Sequence, residues 1–178
     1  KSIREAFIHG GVANETKVHI KSIHSEYVTK ENVSEMLANV DGVLVAPGFG
    51  NRGIEGKIIA AEYARTNNIP FMGICLGMQC AVVEFARNVL GYADAHSREM
   101  DSDTKHPVID IMAEQKNIVN MGGTMRLGAY PCRLDESSKL YQAYGSTLIS
   151  ERHRHRYEFN NAYLDEFQKH GMKVTGVN

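Results

Sequence analysis

The spacing of apolar positions changes several times along the chain, and each change predicts an element. Residues 2–9 read as the end of a helix, stopped by Gly10 and Gly11. Residues 17–24 alternate, with Val18, Ile20 and Ile23 apolar, and predict a strand. Residues 31–39 predict a short helix. Residues 43–46 are a continuous apolar run that passes straight into a glycine-rich loop, "APGFGNRG". Residues 54–67 predict a helix with Ile54, Ile58 and Ala61 on one face. "IPFMGI" is a second buried-type strand, followed at once by Cys75, and residues 77–90 predict a helix with Met78, Val82, Phe85 and Val89 about one turn apart. Strands alternating with helices in this order predict a parallel sheet with helices on its faces.

The second half has a different rhythm. Residues 107–112 and 125–134 read as strands and 147–159 as a longer, irregular one. Residues 138–144 and 161–170 read as helices, and 172–177 as a last strand. The predicted class is α/β: an open, mostly parallel central sheet flanked by helices, with antiparallel additions from this half. No composition break divides residues 1–178, so one domain is expected.

Composition removes several function classes. The 178 residues are 43% apolar and 23% charged with a net charge of -1, so nothing global favours nucleic acid or an anionic membrane. No apolar run approaches the roughly 20 residues of a spanning helix, and none reads as a signal peptide. Three cysteines without paired spacing point to a reducing compartment, the cytoplasm. The chain begins with Lys1 rather than Met, which suggests a piece of a longer protein.

The chemistry concentrates at Gly73-Ile74-Cys75-Leu76-Gly77. Small residues two before and two after a nucleophile mark a sharp strand-to-helix turn. Such a turn lifts the central side chain above the sheet and sets it at a helix N-terminus, where the dipole favours an anion. Helix N-termini and cationic neighbours lower thiol pKa values from about 8.5. The N–H of Leu76 is placed as an oxyanion donor, and Gly48 or Phe49, at the end of the neighbouring strand, could supply a second. A cysteine is otherwise a packing residue. The two glycines, the strand before and the amphipathic helix after favour the nucleophile for Cys75, whereas Cys80 and Cys132 lack that setting and read as packing residues.

Together "PGFGNRGIEGK", "NNIPFMGICLGMQ", "EFARNVLG", "GGTMRLGA" and "ERHRHRYEFNN" resemble the C-terminal glutamine amidotransferase domain of the CTP synthase family. "GICLGMQ" alone fits any class I glutamine amidotransferase; the other motifs narrow the resemblance. It implies Cys75 as the nucleophile on the glutamine side-chain amide. It implies Gly48 and the turn residues Leu76, Gly77, Met78 and Gln79 as pocket lining. Glu99 would hold the α-amino group, and Arg156 would bind glutamine as well. It implies ammonia transfer to an N-terminal synthetase domain that uses ATP and Mg²⁺ to convert UTP to CTP, with GTP as effector, in a homotetramer. No cofactor or metal is expected in this domain.

The stretch "ERHRHRYEFN" permits other readings. At strand periodicity His153 and His155 share one face and Arg152, Arg154 and Arg156 the other. No third ligand completes a metal site, and Glu151 and Glu158 flank the run, against a nucleic-acid patch. The resemblance favours a ligand-facing, interdomain role. It also implies a first strand upstream of Ser2 and a C-terminal His-Pro-Glu segment supplying base and orienting acid. Neither occurs in these residues; the only His-Pro is His106-Pro107, followed by Val108. Pro47 stands where many members have glycine, removing one N–H from the loop. A non-catalytic glutaminase-like module and a γ-glutamyl hydrolase are the competing readings.

Overall fold

The computed structural model describes residues 1–111 and 126–178. The first half runs α1 (Ser2–Ala13), a 3-10 turn (Ser25–Tyr27), α2 (Val33–Met36), β1 (Val43–Val45), α3 (Ile54–Thr66), β2 (Phe71–Gly73) and α4 (Leu76–Asn88). β1 and β2 pair in parallel, Val43 with Phe71 through Val45 with Gly73. The crossover is α3, whose Ile54, Ile58 and Ala61 are buried as their spacing predicts. α4 is buried around most of its circumference and carries Val82, Val83, Phe85 and Ala86 into the main core.

Two glycines explain why "NRGIEGK" has its shape. A Cβ on Gly56 would collide with the Ser25 carbonyl oxygen, and one on Gly53 would lie 3.0 Å from the Glu26 nitrogen. Their absence lets the 25–27 turn lie directly on α3, where Arg52 bonds Glu26 at 2.8 Å.

The second half runs β3 (His96–Ser97), β4 (Pro107–Ile111), β5 (Arg126–Leu134), α5 (Lys139–Tyr144), β6 (Leu148–His155), β7 (Tyr157–Phe159), a 3-10 turn (Asn161–Tyr163), α6 (Leu164–Lys169) and β8 (Gly176–Val177). β4 takes β3 in parallel and β7 antiparallel, whereas β5 takes β6 and β8, both antiparallel. The parallel pairing of the first half and the antiparallel additions of the second thus follow the sequence pattern. Phe167 of α6 is 1% exposed and stacks on Phe85 at 5.4 Å, closing the core from the second half.

Several boundaries differ from expectation. α1 continues through Gly10 and Gly11 to Ala13 and is capped by Asn14, whose side-chain amide donates to the Gly10 carbonyl. Gly11 serves close approach instead of termination: a Cβ there would meet the Thr16 oxygen at 2.5 Å. Residues 17–24 form no strand, because no described segment pairs with them; Val18 and Ile20 are exposed, and only Ile23 packs, against the Val28–Leu37 cluster. The long strand expected over 147–159 breaks at Arg156, where the chain leaves β5 and joins β4. Met112 and Met125, expected strand ends, and residues 122–125 of "GGTMRLGA" lie outside the described residues.

Candidate functional site

β2 ends at Gly73 and α4 begins at Leu76, leaving two residues to reverse the chain. Cys75 takes the strain, with φ 57° and ψ -111°, a conformation L-residues seldom adopt outside functional sites. The flanking glycines are sterically required. A Cβ on Gly73 would lie 2.5 Å from the carbonyl carbon of Gly77, and one on Gly77 would strike the Val45 carbonyl oxygen. Ile74 N–H donates to that same Val45 oxygen at 3.1 Å, which ties the turn to β1. The thiol is therefore held, half-buried, at the first turn of α4.

The loop after β1 lies alongside. A Cβ on Gly48 would come 3.4 Å from Leu76 Cδ2, so the loop backbone can rest against the elbow. Among the described residues the N–H groups of Gly48, Phe49 and Leu76 donate to no backbone carbonyl, as the start of a helix leads one to expect for Leu76. Gly48, Phe49 and Leu76 line an open cleft of about 190 Å³ together with Cys75, Gln79, Glu99 and residues 154–157.

The second half closes the cleft with charge. Glu99 follows β3, and its backbone N–H donates to Ser97 Oγ at 3.3 Å. Desolvation against the cleft wall pushes its carboxyl pKa up, and the Arg156 guanidinium opposes that shift. Arg156 occupies the bend between β6 and β7. Gln79 reaches across, its amide donating to the Tyr157 carbonyl at 3.4 Å. A cleft with a thiol in one wall and an acid, Glu99, and two arginines, Arg154 and Arg156, in the other matches a free amino acid, which carries both an ammonium and a carboxylate.

Cys75, Gly48, Phe49, Leu76, Gln79, Glu99 and Arg156 thus come together from segments far apart in sequence. Two expected lining residues do not: Gly77 packs against Val45, and Met78 is 42% exposed outside the cleft. Three further residues line it: Arg154 and His155, from the run for which the resemblance implies a ligand-facing role, and Tyr157, for which it implies none. Arg154 lies over the Phe49 ring at 6.0 Å, and period-two spacing with Arg156 was the signal available for it. His155 lines the cleft from β6; burial lowers its pKa, and His153 and Arg126 lower it further, so it is held neutral to lower pH than an ordinary histidine. His153 and His155 do share a face, with rings 5.4 Å apart. Among the described residues no group of three His, Cys, Asp or Glu side chains could hold a metal ion, and no helix is long and apolar enough to cross a membrane.

Comparison with known proteins agrees with this geometry. The family model for glutamine amidotransferase class I matches residues 1–178. The CTP synthase of Flavobacterium johnsoniae is 63% identical over 100% of this chain, which spans 33% of that protein; that of Bacteroides fragilis is 61% identical with the same coverage. The chain therefore spans about a third of the length of the curated relatives it matches. A solved glutaminase domain of Trypanosoma brucei CTPS with bound acivicin superposes with a TM-score of 0.92 at 40% identity, covering 99% of this chain and 68% of that one. The α/β fold with its nucleophile-type elbow is thus that of the class I glutamine amidotransferases, and the chain belongs to that family, among the glutaminase domains of CTP synthases.

Proposed function

We propose that Cys75 releases ammonia from L-glutamine and that the remainder of a longer protein uses it to aminate UTP. The observation that carries this reading is the strained elbow of Cys75, set in one cleft with Glu99 and Arg156. Glu99 receives the α-ammonium and Arg156 the α-carboxylate, which aims the side-chain amide at the thiol. Cys75 Sγ, as thiolate, bonds to the amide carbon. The oxyanion that forms accepts hydrogen bonds from Leu76 N–H and from the Gly48–Phe49 backbone. One such donor typically contributes about 2.7–4 kcal/mol to the transition state. The C–N bond then breaks, and nitrogen leaves as ammonia once it has taken up a proton. Water adds to the thioester, the C–S bond breaks, and glutamate and the thiol are restored. The family resemblance assigns these proton transfers to a His-Pro-Glu segment, which does not occur in the 178 residues.

ATP, Mg²⁺, UTP and the effector GTP belong, on this reading, to an N-terminal synthetase domain and its junction with this one. The relatives' threefold greater length supports such a domain. A cytoplasmic homotetramer is the corresponding assembly. Replacing Cys75 with Ala in the full-length protein is expected to abolish glutamine-dependent CTP formation and leave the reaction with added ammonium salts intact. Undiminished ammonia release from glutamine by that variant would overturn the assignment.

A further inference from the structure

We infer that Asp94 and His106 are positioning residues for glutamine recognition: they close the base of the 94–106 loop and thereby hold Glu99, at its tip, in the cleft. This deepens the glutaminase reading and rests on it. Asp94 makes three contacts across the loop base. Its main-chain oxygen accepts from Thr104 Oγ1 at 2.7 Å, its Oδ2 accepts from Lys105 N–H at 3.0 Å, and its Oδ1 lies 2.5 Å from His106 Nδ1. The His106 ring stacks on Tyr92 at 4.4 Å with an interplanar angle of 11°, and Tyr92 packs against the main core. The clamp is thus anchored to the fold on one side and to the loop on the other.

Nearer the tip the backbone is fixed by Ser97, which is 3% exposed. Its carbonyl accepts from Met100 N–H at 2.9 Å and from Asp101 N–H at 3.0 Å, while its hydroxyl accepts from Glu99 N–H. Glu99 therefore rides on a rigid turn that β3 joins to the 106–109 segment, through His96 N–H to the His106 oxygen at 3.2 Å and Arg98 N–H to the Ile109 oxygen at 2.9 Å, and the Asp94–His106 contact braces the start of that pairing. Asp94 is exposed, and exposed pairs contribute little to global stability. Its three contacts act locally, on the position of a carboxylate that must meet an ammonium.

A positioning role predicts weaker glutamine binding with the chemistry largely spared. The test uses the full-length protein with Asp94→Ala, His106→Ala and His106→Asn. Ammonia release is measured from L-glutamine and from 4-carbamoylbutanoate, which is glutamine without its α-ammonium. In both alanine variants KM for glutamine should rise about five- to tenfold with kcat within about twofold. Preference for glutamine over 4-carbamoylbutanoate should fall by the same factor, because Glu99 has nothing to recognise in the second compound. His106→Asn should restore most of the preference, its amide N–H replacing Nδ1–H. Glutamine KM values within about twofold of the parent's would overturn the proposal, as would a loss of rate with the preference unchanged. A parent protein that releases no ammonia from glutamine would instead overturn the glutaminase reading, and this proposal with it.

Discussion

At the scale of single residues, the glycines of the elbow carry the clearest prediction. A Cβ on Gly73 or Gly77 would meet backbone atoms, which cannot rotate aside, at distances that real Cβ atoms essentially never show. Gly73→Ala and Gly77→Ala are each expected to cost about 2–3 kcal/mol, the upper range for overpacking, and to slow alkylation of Cys75. Gly10 is the control. A Cβ there meets nothing within 4 Å, and the residue lies inside α1. Gly10→Ala should stabilise by about 0.5–1 kcal/mol, the usual difference in a helix. Chemical unfolding of the three variants checks the contrast; equal effects would show that flexibility, and not contact, dictates glycine at the elbow.

At the scale of elements, the Arg65–Glu84 pair joins the two helices that frame the sheet. Glu84 is 2% exposed on α4 and accepts from Arg65 Nε and Nη2 at 2.7–3.1 Å and from Asn88 at 3.1 Å. Arg65 is driven to a still higher pKa, first by this hydrogen bonding, and its side chain is 38% exposed. Glu84→Ala leaves a guanidinium that can reach water, so the loss should fall short of a fully buried broken pair. About 2–3 kcal/mol is expected, a Tm lower by roughly 4–12 °C; Glu84→Gln, which keeps an acceptor, should lose less. A loss under about 1 kcal/mol from Glu84→Ala would mean the helices are held by packing alone. These same elements were the legible ones, because a helix buried on a regular face, like α3, announces itself by spacing. The 17–24 segment shows the limit: its alternation is real, but a strand also needs a neighbour, and pairing is not written in one segment's sequence. The break at Arg156 was hidden for the same reason, since it arises where the chain passes from β6, paired with β5, to β7, paired with β4. In the site, Cys75 and its glycines were legible as a local turn, whereas Glu99 and Arg156 look like surface charge and entered only through family resemblance. Arg154, His155 and Tyr157 become lining only when that bend folds over the cleft.

At the scale of the whole molecule, the cleft exists because the two halves meet: the first brings the thiol and the glycine loop, the second the acid and two arginines. The same packing separates the three thiols. Cys80, one turn into α4, is 2% exposed, and burial pushes its pKa up to about 11. At pH 8 only about one Cys80 in a thousand is ionised. The Cys132 thiol is also raised, first by burial and then by Glu151 nearby. Cys75 alone among them faces the cleft at a helix N-terminus. Since the thiolate is the reactive form, iodoacetamide at pH 8 should label Cys75 first and Cys132 slowly. Cys80 should react only after denaturation or as pH approaches 11. Glutamine should slow labelling of Cys75 without affecting Cys132. Peptide mapping by mass spectrometry against time gives the three rates. Comparable rates at Cys75 and Cys80 in the folded protein would mean that α4 opens readily, and the elbow could not then hold a nucleophile in place.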